Sequence, residues 1–155
     1  MSVNYSTPAA HFSIKVVGRL ITVTLRGAWT MSLDLRYLSE LGETMGEMRG
    51  NPWAVLVDMR GWVVPKSLSD SPIEPRITLD RRNQKFEYWL VDDSAQGENL
   101  LPYFAQSGLT PQRFLTPAAV YQSLLDTGYV LASTQLDEIV SDVPDGTNTV
   151  VNSAT

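Results

Sequence analysis

Residues 53 to 59 read WAVLVDM, a short run in which Asp58 is the only polar side chain. An apolar run without alternation is what a strand shows when it is covered on both faces, as in the middle of a sheet with parallel neighbours. It predicts the central strand of an α/β sheet, and the rest of the chain can be read outward from it.

Upstream, Leu35, Leu38, Leu41, Met45 and Met48 recur every three or four residues, while Asp34, Arg36, Glu40, Glu43 and Glu47 fall mostly on the other side. That period is helical, and the Leu and Met stripe is core packing rather than a cofactor box. Ser32 is placed to cap the helix, Asp34 suits its positive end, and Gly50 with Pro52 stops it. Earlier still, Phe12, Ile14 and Val16 alternate with Ser13, Lys15 and Val17, Gly18-Arg19 turns the chain, and Ile21, Val23 and Leu25 resume the alternation. Two antiparallel strands open the fold.

Downstream, residues 65 to 75 are rich in Pro, Ser and Asp and read as a loop, with a helix expected over 74 to 83. Phe86 to Val91 forms a second apolar strand that runs into Asp92 and Asp93. A short helix should start near Asn99 and close at Gly108, with Pro102 tolerable only in its first turn. After a brief strand at RFL, the segment TPAAVYQSLLDTG places Thr116 as N-cap, Pro117 at the first helical position and Gly128 just past the end. STQLDEIVSD can add one or two more turns, with Ser133 or Thr134 as cap. The result is a mixed β-sheet opened by an antiparallel hairpin and packed by about four helices. A chain of 155 residues fits one domain, expected over 11 to 132, after a flexible segment at 1 to 10 and before an extension at 133 to 155 that is mobile from about Pro144.

Composition narrows the function. A formal charge of -5, with no basic run longer than Arg81-Arg82, argues against nucleic-acid binding. Without cysteine there is no disulfide framework, thiolate metal site or Cys nucleophile. The single histidine, His11, stands at a strand edge, and catalytic Ser-His-Asp chemistry would have to rely on it alone. No Gly-rich phosphate loop, nucleophile elbow or histidine pair occurs. A non-enzymatic chain without metal or cofactor is therefore expected. The start lacks a basic, then apolar, signal sequence, and no run reaches membrane-spanning length, so a cytoplasmic protein is expected.

Three groups of residues merit a functional reading. Trp62, Val63 and Val64 come just after the central strand: exposed, they form an interface or the lip of an apolar pocket; buried, they anchor the loop. Asp58, Asp92 and Asp93 sit at strand ends where α/β sheets place ligands, and could serve Mg²⁺, although acids there more often cap helices or close turns. Ser67, Ser69 and Ser71 lie in the polar loop, where phosphate could order a helix start or repel an acidic partner, and where serine is also an ordinary solvated loop residue.

The stretches LITVTLRGAWT (20 to 30), AVLVDMRGW (54 to 62) and QRFLTPAAVYQSLL (112 to 125) resemble the SpoIIAA-like branch of the STAS domains, named for sulphate transporters and anti-sigma-factor antagonists. The similarity covers about residues 10 to 130 and rests on structural motifs. It implies a regulatory domain that binds another protein, with a phosphorylated Ser or Thr in an Asp-Ser-Ser-Gly or Asp-Ser-Thr-Gly motif after the central strand. The nearest counterpart here is Asp70-Ser71-Pro72, which keeps the acid and the serine but has Pro-Ile in place of the motif's last two residues. The expected binding surface is the loop from Trp62 to Ile73, Asp70 included. The alternative is a pocket for an apolar small molecule or lipid between helix and sheet, formed by Trp62, Val64, Tyr103 and Phe104.

Overall fold

The run at 53 to 59 forms the middle of the sheet. In the computed structural model, which describes residues 9–48, 50–69, 79–104 and 107–140, strand β3 (Trp53–Asp58) is buried at every position. It lies between two parallel neighbours, β2 (Leu20–Ala28) and β5 (Gln84–Leu90). The opening strand β1 (His11–Val17) pairs antiparallel with β2, and β6 (Gln112–Phe114) continues the parallel set beyond β5. The strand order is β1-β2-β3-β5-β6, with the two-residue strand β4 (Trp62–Val63) added to the end of β2.

Because the parallel strands succeed one another in space as they do in sequence, right-handed crossovers place their connections on one face. Helix α1 (Met31–Glu47), Leu68 of α2 (Lys66–Ser69), and Leu100 and Phe104 of the 3-10 helix Glu98–Phe104 all pack into one core. Strand alternation supplies the other wall of that core from Ile21, Val23, Leu25, Val55, Val57 and Trp89. The opposite set, Leu20, Ala54, Leu56, Tyr88 and Leu90, meets Val120 and Leu124 of α3 (Pro117–Thr127) and Ile139 beyond the short 3-10 turn Leu136–Glu138. The fold is a mixed α/β sheet covered on both faces.

Local chemistry explains where the elements differ from expectation. α1 is capped by Thr30 rather than Ser32, since the Thr30 hydroxyl accepts the Leu33 N–H at 3.2 Å. α3 obeys its signals to the residue: Thr116 accepts from Ala119, Pro117 opens the helix, and Gly128 takes the left-handed conformation at φ 85°. The helix expected over 74 to 83 is absent from its described part, 79–83. There the Asp80 carboxylate takes the Arg82 N–H and guanidinium at 3.1, 2.9 and 2.7 Å, and Asn83 adopts φ 69°. A left-handed residue ends the segment as a turn into β5. The expected loop at 65 to 75 contains α2, and the helix near Asn99 is a 3-10 helix holding Pro102, which lacks the N–H an α-helix would use. Asp70, Ser71, the expected flexible segment up to residue 8 and the end from 141 lie outside the described residues.

Candidate functional site

β3 delivers Asp58 to the carboxyl end of the sheet, where its side chain turns into the protein. Asp58 Oδ2 accepts from Arg26 Nη2 at 2.9 Å and from Arg60 Nη2 at 2.8 Å; Oδ1 accepts from Arg60 Nε at 2.9 Å and from the Arg60 backbone N–H at 3.2 Å. All three side chains are buried. A carboxylate that already holds four donors, three of them from arginine side chains, is fully engaged. Among the described residues no group of three acids or histidines is placed to hold a metal ion.

Asp58 also shapes the backbone. With Arg60 folded back on it, Gly61 takes φ 74°, and the chain re-enters the sheet as β4, where Gly27 N–H donates to Gly61 O at 2.8 Å. Asp92 closes this turn from the neighbouring strand by accepting the Gly61 N–H at 2.8 Å, and Asp93 accepts the Ala95 N–H at the same distance. The two β5-end acids thus act as turn-closing groups.

The segment that leaves β4 and the one that comes after β5 face one another across a cleft of about 250 Å³, lined by Trp62, Val64 and residues 95 to 99. Gln96 stitches its two sides together. Its Nε2 donates to Met59 O at 2.7 Å and Trp62 O at 3.1 Å, and its Oε1 accepts the Asp92 N–H at 2.8 Å. Arg113 Nε holds the Gln96 carbonyl at 3.0 Å from β6. Gly97, at φ 93°, rests directly on Trp89: a Cβ there would lie 2.5 Å from the indole ring. Any larger residue would open the cleft wall. Nothing in the sequence pairs Gln96 with Met59, 37 residues away, so no local signal marks this organiser.

The expected site residues divide sharply. Trp62 is only 4% exposed and packs edge-on against Trp29 with ring centroids 5.5 Å apart, so its anchoring role wins over a free surface role. Its indole N–H finds no hydrogen-bond partner among the described residues. Val63, next along, is 48% exposed, and Val64 is half-buried at the cleft. Phe104 is buried under the Arg81 guanidinium, 3.8 Å from its ring centroid, and Tyr103 packs beside the same core. Trp62, Val64, Tyr103 and Phe104 all belong to the α1-side core, but only the first two line the cleft. Ser67 is exposed in α2, which Ser69 closes.

A second polar assembly, which no sequence motif marks, lies inside the α1-side core. Glu87 of β5 accepts from Gln84 Nε2 at 2.7 Å and Trp89 Nε1 at 2.9 Å, and pairs with Arg81 at 3.3 Å. Burial nonetheless pushes its carboxyl above the usual range, against those donors. Tyr37 is driven the same way by burial and by the Glu87 charge. Asp34, on the first turns of α1, has one buried carboxylate oxygen without a partner among the described residues, and burial raises its pKa to about 6.

No protein-family model, curated protein or solved structure matches the chain.

Proposed function

We propose that the chain is a non-catalytic, cytoplasmic regulatory domain of the STAS type that binds another protein through the carboxyl-end face of its sheet. The observation that carries this reading is Val63, an exposed apolar side chain on β4 beside the cleft walled by Trp62, Val64 and residues 95 to 99. The strand-end acids, which an enzyme would need for a cation, are instead occupied by arginines and by backbone N–H groups. A cleft of about 250 Å³ is below the roughly 300 to 1,000 Å³ of drug-sized ligand sites, which favours a side chain of a protein partner over a lipid. In this reading Ser67, Ser69 and Ser71 come directly after the binding face in the chain and are its phosphorylatable residues. No helix among the described residues is long and apolar enough to cross a membrane.

The test is cross-linking mass spectrometry of the full chain in extracts of its host, using Lys66 as the reactive anchor. The expected result is a partner linked at Lys66 whose capture is lost in Val63→Asp while the melting temperature is retained. Capture that survives Val63→Asp, or links confined to the amino ends of the strands, would discard this face.

A further inference from the structure

The two edges of the sheet are unlike. β6 is three residues long and is preceded by Pro111, which has no N–H to offer a neighbour. Such an edge is blunted. β1 has seven residues, no proline and, among the described residues, pairs only with β2.

Parity decides which of its peptide groups are free. Ala54 N–H donates to Arg19 O at 3.1 Å and Gly27 N–H to Gly61 O at 2.8 Å, so odd-numbered residues along β2 turn their peptide groups toward β3 and β4. The even-numbered ones, Leu20, Thr22, Thr24 and Arg26, turn theirs toward β1, opposite Val17, Lys15, Ser13 and His11. In an antiparallel ladder those residues exchange hydrogen bonds with β2. The N–H and C=O groups of Phe12, Ile14 and Val16 must then point outward, away from the sheet.

This outward set is self-complementary. A two-fold axis between two Ile14 residues sets Phe12 against Val16 of a second copy, Ile14 against Ile14, and Val16 against Phe12. Each is a hydrogen-bonded pair, so all six outward N–H groups of the two strands are satisfied. Side chains agree with the backbone. Phe12 and Ile14 pack against the α1-side core, and by alternation Val16, 45% exposed, shares their face. The pairing brings apolar residues together there. On the other face Lys15 meets Ser13 rather than another lysine, so no like charges oppose. We infer that β1 pairs antiparallel with β1 of a second copy around Ile14, joining two sheets into one.

Hydrogen exchange read residue by residue on the full chain, alongside sedimentation equilibrium from about 1 µM to about 1 mM, tests this. As the mass doubles, the amides of Phe12, Ile14 and Val16 should gain protection together, while Ser13, Lys15 and Val17 stay protected throughout. Val16→Lys, at a half-exposed position, should weaken the dimer by at least about tenfold with the melting temperature unchanged. Three results overturn the inference: a monomer at every concentration, a dimer in which those three amides still exchange as in the monomer, or protection that appears only when a foreign strand peptide is added.

Discussion

Asp58 and Glu87 are both buried acids on adjacent parallel strands, yet alternation sends them to opposite faces of the sheet and their surroundings answer them differently. Asp58 ends β3 and meets two arginines and a backbone N–H, so its charge is over-matched. Glu87 sits within β5, with one arginine at 3.3 Å and two neutral donors, and its carboxyl is pushed up by burial. The first arrangement fixes where the chain leaves the central strand. The second leaves a polar island between α1 and the sheet, next to a guanidinium whose Nε has no partner among the described residues. Hydrogen bonding to ions strengthens with the number of charged donors, whereas desolvation depends only on being buried. That is why a similar degree of burial produces a locked turn at Asp58 and a carboxyl held above its usual range at Glu87.

The contrast can be broken most forcefully at Asp58. Asp58→Asn leaves two buried arginines facing an amide, and equilibrium denaturation should show a loss of about 3 to 5 kcal/mol, the usual cost of removing one partner from a buried ion pair. Glu87→Gln keeps an acceptor for Trp89 or Gln84, and Arg81 keeps its contact with the Gln84 side-chain oxygen at 2.9 Å. Its loss should be smaller, about 1 to 2 kcal/mol. Equal losses in the two variants would end the distinction between the sites.

The smallest effect sharpens the comparison through pH. Asp34 takes up its proton near pH 6 in the folded chain and near pH 3.8, the ordinary value for aspartate, when unfolded. The folded state therefore holds the extra proton between those values, and stability must fall as the pH rises from about 4 to about 6. Glu87, also raised, slopes in the same direction. Asp34→Asn should flatten this part of the profile and, after allowing for partial solvent exposure, stabilise the protein by about 1 kcal/mol at pH 8. A variant that instead loses stability at pH 8 would show that the Asp34 carboxylate has a stabilising partner.

Legibility tracked the range of the interactions. The central strand, the opening hairpin and α3 could be read directly because a few neighbouring residues decide them: an unbroken apolar run, a period of two around Gly18, and a Thr-Pro start with a Gly stop. The segment 79–83 could not, because the Asp80–Arg82 contact and the left-handed Asn83 outweigh a weak helical spacing. At the site, the position of Trp62 after the central strand was visible, but its burial against Trp29 was not.

By itself the sequence determined an α/β chain with a doubly covered central strand, because hydrophobic periodicity and caps act over a few residues. Tertiary structure alone decided that Asp58 would be an ion-pair hub, that Gln96 would join two loops, and that Val63 rather than Trp62 would face outward. Arg60 reaches Asp58 from two residues away, but the contacts of Arg26 with Asp58, of Gln96 with Met59 and of Trp29 with Val63 join groups more than 30 residues apart, brought together only when the sheet closes. Burial and hydrogen-bond partners, which set the chemistry of a polar side chain, exist only after that closure.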